Sequence, residues 1–202
     1  MDLDRALESL LAAAQPLAET QWVDTFEADG RVLAQHLVSA LHVPPQDNSS
    51  MDGYAVRCAD VQTASPTHPV CLPVSQRIAA GHSSQSLQPG TAARIFTGAP
   101  LPPGADAVVM QEDTREVGGN IHGVHIDVVP QPGQWVRRAG EDVSRGSVVL
   151  PAGTRLSAAS IGLAAGVGRA HLSVRVRPRV ALFSTGDELV MPGEVAPQDM
   201  PP

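Results

Sequence analysis

From about Pro45 to Ala139 the chain never sustains an apolar pattern for the roughly ten residues that a helix needs. Short β-prone runs, Val70–Val74, Ala92–Thr97, Ala107–Gln111 and Ile121–Val129, are instead cut apart by Gly, Pro and Asn. Gly118-Gly119-Asn120 has the composition of a hairpin turn between two of these strands. Hydrophobic residues make up 43% of the chain and aromatics 3%, so the cores must be filled by Val, Leu, Ile and Ala. Several small cores suit that supply better than one large one. This stretch therefore predicts a compact all-β domain.

The flanks read differently. Leu3, Leu7, Leu10, Leu11 and Ala14 repeat at helical spacing, with Asp2 as N-cap and Pro16 as the stop. A second helix is predicted from about Asp29 to Leu41, where Val32, Leu33, Leu37, Val38 and Leu41 make an apolar face before Pro44-Pro45. Such faces form ordinary core or pack against a second subunit. Beyond Ala139, Val148–Leu150 reads as a strand, and Ser157 as the cap of a short helix through Ala165 that ends at Gly166 and Gly168. Val174 and Val176 alternate with arginines as in a half-exposed strand, and Val180-Ala181-Leu182-Phe183 resembles a buried parallel strand. The tail from Pro192 has no periodicity and is expected to be poorly ordered. A length of 202 residues suits one or two domains.

The net charge of −7 combines 14 Arg, no Lys and 21 acidic residues, with no basic stripe, which argues against nucleic-acid binding. Without Lys these residues cannot form a Schiff base. Cys58 and Cys71 have neither metal-site spacing nor the numbers of a disulfide framework, and read as reduced structural thiols. No secretory signal pattern and no long apolar stretch occur, so a soluble, cytoplasmic protein is expected. The seven histidines show no metal-ligand spacing, and hydrolase, dinucleotide and P-loop motifs do not occur.

Chemistry is best sought at acidic residues near glycines: Asp52 in Met51-Asp52-Gly53, Asp142 in Gly140-Glu141-Asp142, and Asp187-Glu188 after Gly186. Loop-borne carboxylates of this kind can hold Mg²⁺ together with phosphate oxygens, although Asp-Gly is also an ordinary turn dipeptide. Thr97-Gly98, after a β-prone run, offers a hydroxyl and backbone N–H groups to an oxyanion, or simply makes a turn. Arg137 and Arg138 can meet a phosphate or form solvated surface.

The ordered series Pro44–Val56, Arg94–Pro100, Gly104–Glu112, Arg137–Asp142, Pro151–Thr154 and Arg179–Leu189 resembles the successive signatures of the molybdopterin molybdenumtransferase family, which includes MoeA and the gephyrin E domain. The resemblance covers residues 1 to about 195. It implies a mixed, mainly β fold. A discontinuous first domain (1–44 and 139–177) dimerises, a β-rich, barrel-like second domain (45–138) is inserted in it, and an α/β molybdopterin-binding third domain begins at 178–202. The implied reaction inserts molybdate into adenylylated molybdopterin with Mg²⁺, releasing AMP, in a homodimer. Molybdopterin adenylyltransferase is an implied partner. By motif match Asp52, Thr97, Asp142 and Glu188 are the implied catalytic residues. Thr97, Gly98 and Asp187 are the implied cofactor-binding residues, with Asp52, Asp142 and Glu188 as metal ligands. The chain reads as an N-terminal portion that is inactive alone. The alternative is a non-catalytic scaffold or peptide-binding module of the gephyrin type.

Overall fold

A computed structural model of the chain describes residues 2–15, 17–118, 122–186 and 190. Helix α1 (Leu3–Ala13) leads into β1 (Thr20–Asp24), β2 (Leu37–Val38), β3 (Asn48–Ser49), β4 (Gly53–Val56) and β5 (Val70–Ile78). Then follow β6 (Ala92–Ile95), β7 (Ala107–Met110), β8 (Thr114–Val117), β9 (Gly123–Ile126), β10 (Val136–Arg137), β11 (Val148–Leu150), α2 (Ala158–Gly166) and β12 (His171–Arg175). The chain divides into two compact units, residues 1–21 with 175–202, and residues 22–174.

Within 22–174 the main feature is a six-stranded sheet in the order β7-β4-β6-β5-β9-β8. All neighbours are antiparallel except β5 and β6. Strand β5 is long enough to serve two partners. Its first residues, Val70–Pro73, pair with β9, and after an irregularity between Val74 and Gln76 the rest runs parallel to β6. All four residues of β4 are buried, which marks a strand covered on both faces. Alternation along it sorts the side chains: Tyr54 and Val56 join Leu72, Val109, Val124 and Ile126, whereas Ala55 joins Ile78, Ala93, Ile95 and Val108. The expected aliphatic filling and the division into small cores are both present.

A third apolar cluster draws on two distant stretches, Ala28, Leu33 and Leu37 from one and Leu156, Ala164, Val167, Leu172 and Val174 from the other. Helix α2 anchors it with Ala164, and Ser157 caps α2 by accepting the Ser160 N–H at 3.4 Å. Helix α1 forms where its spacing predicts, with Asp2 at the N-cap making no side-chain cap bond, and Leu3, Leu7, Leu10 and Leu11 are exposed.

The predicted helix over Asp29–Leu41 does not form. Leu33 N–H instead donates to Thr154 O (2.9 Å), Ala34 N–H to Ser173 O (2.9 Å) and Leu156 N–H to Arg31 O (2.7 Å), while β2 pairs with β11. Leu33 and Leu37, four apart, satisfy a helical stripe and a bent extended chain equally well. Non-local backbone partners and the positive φ of Gly30 (69°) decide for the latter. Residues 180–183 likewise form no strand, and Val180, Leu182 and Phe183 are exposed. A parallel strand is stable only between hydrogen-bonding neighbours, and none pairs with this run among the described residues. Strands β8 and β9 pair as the hairpin reading requires, with Gly119 and Asn120 of its turn outside the described residues, as is the tail from Pro192.

Gly53 explains why β4 and β7 can pair at all at this point. A Cβ there would collide with the backbone carbonyl oxygen of Val109. Gly53→Ala is expected to cost roughly 1–3 kcal/mol by forced displacement of β7. Gly162→Ala, in open space on α2, should stabilise by up to about 1 kcal/mol. Urea unfolding midpoints moving in opposite directions check both, and an unchanged midpoint for Gly53→Ala would refute the close approach.

Candidate active site

The register of the central strands brings two of the sequence-predicted residues together. Gly53 pairs with Ile95, so Asp52, just before β4, lies across from the chain leaving β6. Asp52 Oδ1 accepts two hydrogen bonds from Thr97, from its backbone N–H at 2.8 Å and from its hydroxyl at 2.7 Å. The loop is held from behind as well. Gln111 N–H donates to the Asp52 carbonyl (3.0 Å), and the Ser50 N–H and hydroxyl both donate to Trp135 O (3.0 Å each). The buried Ser49 hydroxyl donates to Met51 O at 2.6 Å.

These bonds favour the charged carboxylate. The Thr97 N–H, then its hydroxyl, then the positive charge of Arg94 hold the Asp52 carboxyl below its ordinary pKa. Its second oxygen, Oδ2, accepts no hydrogen bond among the described residues. The loop thus presents one fixed and one unused carboxylate oxygen.

Thr97-Gly98 differs from expectation in one respect. The Thr97 N–H is given to Asp52, the Gly98 N–H to Ser49 O (2.8 Å) and the Ala99 N–H to Phe96 O (2.9 Å). This turn therefore holds the Asp52 loop in place and leaves no N–H of 97–99 spare. Gly98 takes the left-handed φ of 79° that the turn requires.

Asp142 is engaged separately. Arg137 Nη2 lies 2.7 Å from both of its oxygens, and Arg137 also approaches Glu141 at 3.6 Å. Arg138 Nη1 donates to Asp47 at 2.6 Å, while the Ala139 N–H, the larger cause of that carboxyl's lowered pKa, donates to Asp47 at 2.9 Å. Arg137 and Arg138 are thus carboxylate partners. No group of three or more His, Cys, Asp or Glu among the described residues is arranged to hold a metal ion. Asp187 and Glu188 lie outside the described residues.

Beside Asp52 and Thr97 is a set of residues that sequence reasoning passed over: Tyr54, Arg77, Arg94, Phe96, Gln111 and Glu116. Arg94 donates to Gly53 O (3.2 Å) and to Gln111 Oε1 (2.7 Å), and its guanidinium carbon lies 5.1 Å from the Tyr54 ring centroid and 4.7 Å from that of Phe96. The Tyr54 hydroxyl donates to Glu116 at 2.8 Å, joining β4 to β8. Burial first, then this bond, pushes the tyrosine pKa up to about 12. The signal available in sequence was alternation: Phe96, just past β6, is two residues from Arg94, and Tyr54 is two residues from Asp52.

Residues 1–168 match the MoeA N-terminal region (domain I and II), and the chain belongs to that family. It is 48% identical over 173 residues to a molybdopterin molybdenumtransferase of Nostoc sp., covering 85% of this chain and 39% of that one. It is 44% identical over 190 residues to molybdopterin molybdenumtransferase 2 of Mycobacterium tuberculosis, covering 94% of this chain and 45% of that one. Its fold superposes on the crystal structure of a molybdopterin biosynthesis MoeA protein from Pyrococcus horikosii with a TM-score of 0.83 at 35% identity, covering 98% of this chain and 50% of that one. The chain thus spans less than half the length of these two curated relatives.

Two titrations probe this geometry. The Asp52 carboxyl should titrate below the ordinary Asp range by carboxyl carbon NMR and move back up in Thr97→Ala. The contribution of this lock to stability is present above the unfolded Asp pKa and is lost as pH falls through the depressed folded value. A Thr97→Ala value equal to that of the parent would refute the lock. Tyr54 is the single tyrosine, so phenolate absorbance reads it directly. Ionisation near 12 is expected, falling towards 10 in Glu116→Ala. Because the folded pKa is raised, the associated stability is complete below the unfolded tyrosine pKa and disappears as pH rises to about 12.

Proposed function

We propose that this chain is the N-terminal portion of a molybdopterin molybdenumtransferase, the enzyme that inserts molybdate into adenylylated molybdopterin and releases AMP. The Asp52–Thr97 lock carries the reading, because it yields an ionised carboxylate with one oxygen unspent, the chemistry required beside a phosphoanhydride. Family membership and the names of the long relatives support it. None of the described helices is long and apolar enough to cross a membrane. A small-molecule substrate and a cytoplasmic location fit this reading.

Mg²⁺ belongs to the same proposal. It is commonly bound by one or two carboxylates plus phosphate oxygens and water, so it needs no protein cage. Asp52 Oδ2 fits such a ligand, and a bound Mg²⁺ would offset charge on the phosphate being cleaved. Asp142 could join it only by exchanging its Arg137 partner. Glu188 completes the proposed metal set, and Asp187 is proposed to bind the cofactor with Thr97 and Gly98. Thr97 is the residue that positions Asp52, with Gly98 shaping its turn, and the Thr97 hydroxyl oxygen keeps a lone pair to face substrate.

The domain boundaries expected above, 1–44 with 139–177, 45–138, and 178–202, are retained as a proposal. The apolar cluster shared by 28–37 and 156–174 supports a discontinuous first domain. Homodimerisation through that domain is proposed on the exposed leucines of α1, and a molybdopterin adenylyltransferase would deliver the substrate.

In the full-length protein, Asp52→Ala should abolish AMP release from adenylylated molybdopterin. Thr97→Ala should weaken apparent Mg²⁺ affinity by roughly 10–100-fold, as for loss of a group that orients a metal ligand, and Thr97→Ser should restore most of it. Wild-type AMP release by Asp52→Ala would sink the assignment.

A further inference from the structure

Across the sheet face that carries Tyr54, the register places Tyr54 opposite Arg94 and Arg94 opposite Arg77. Two like charges directly opposed on neighbouring strands repel each other. A carboxylate normally relieves such a pair, and among the described residues none bonds to either guanidinium. Arg94 spends its hydrogen bonds among the described residues on neutral acceptors, Gly53 O and Gln111 Oε1. Arg77 makes no hydrogen bond or ion pair among the described residues, and its guanidinium carbon rests 4.4 Å from the Phe96 ring centroid. The two nearest carboxylates bond elsewhere, Asp52 Oδ1 to Thr97 and Glu116 Oε1 to the Tyr54 hydroxyl, so Asp52 meets Arg94 only through space and neither is paired with a guanidinium. Stacking on Phe96 holds both cations in place but neutralises neither.

The pair borders a cleft of about 270 Å³ whose lining includes Tyr54, Arg77, Arg94, Glu116 and His122. A guanidinium has five N–H donors in a fixed plane and accepts nothing, so an unpaired one is complementary to a tetrahedral oxyanion. In a chain of net charge −7, two adjacent arginines with no carboxylate bonded to either make a local exception that an anionic ligand would relieve.

We propose that Arg77 and Arg94 form a receptor for a phosphate-class oxyanion, the phosphoryl group of a small phosphate ester seated in this cleft. Arg94, tied to Gly53 and Gln111, is the fixed member of the pair. Arg77, exposed and carrying all its donors unspent, closes on the ligand from the neighbouring strand. That the ester is the adenylylated substrate of the proposed reaction rests on the transferase reading, whereas the oxyanion site does not.

Inorganic phosphate and AMP, titrated separately into the 202-residue chain at constant ionic strength, test it by NMR of the arginine Nε–H groups. Saturable shifts at Arg77 and Arg94 are expected with both ligands. Arg77→Gln should weaken binding by roughly tenfold, the loss expected for a charge-assisted hydrogen bond, while Arg145→Gln leaves it unchanged. Arg94 supports the Gly53 carbonyl, so Arg77→Gln, at an exposed position, is the decisive variant. Shifts that fail to saturate, equal shifts with chloride, or unaltered affinity in Arg77→Gln would each overturn the receptor. Asp52→Asn in the same titration separates the two readings. Phosphate binding retained there, alongside full-length Asp52→Ala that still releases AMP, would leave the receptor standing and remove the transferase.

Discussion

A missing side chain underlies the arrangement. At Gly53 the carbonyl of Val109 occupies the space that any Cβ would need, so β4 can lie close to β7 while pairing with β6 on its other edge. That placement sets the register of both neighbours. Asp52 precedes the contact and Tyr54 follows it, so one approach of two backbones directs the carboxylate towards Thr97 and the phenol towards Glu116. Displacing β7 would disturb both bonds together.

The electrostatics around this strand follow a division of labour. Asp47 and Asp142 are each met by an arginine and hold chain segments together, at partly exposed positions where ion pairs contribute little to stability. Asp52 is held by a backbone N–H and a hydroxyl, neutral donors that stabilise its charge without cancelling it. A carboxylate kept ionised by dipoles remains attractive to a cation, whereas one already paired with a guanidinium must first give up its partner. Of Asp47, Asp52 and Asp142, Asp52 is therefore the best prepared for metal or phosphate chemistry.

Much of the β-rich region was legible in sequence because short aliphatic runs bounded by turn formers have few alternatives. The runs Val70–Val74, Ala92–Thr97, Ala107–Gln111 and Ile121–Val129 each contain a strand, and Ser157 caps α2 where its helix was expected. The segment 29–41 was misleading since its leucines suit two periodicities, and only partners more than a hundred residues away, such as Thr154 and Ser173, choose between them. The resemblance to a family pointed to Asp52 and Thr97, but their mutual hydrogen bonds depend on cross-strand register, which spacing does not encode. The same holds for Arg77 and Arg94. They are 17 positions apart in the chain and become adjacent through the pairing of β5 with β6, the one parallel pairing in the main sheet, which no hairpin rule predicts.

The two thiols differ in their access to solvent. Cys58 is buried, and desolvation, followed by its hydrogen bond with Asp106, raises its pKa to about 12. Cys71 is exposed on β5, across from His125. The natural sequence is thus already a single-handle protein for maleimide chemistry. A fluorophore attached there would ride on the strand that carries Arg77, giving an optical view of that strand without engineering a new attachment point.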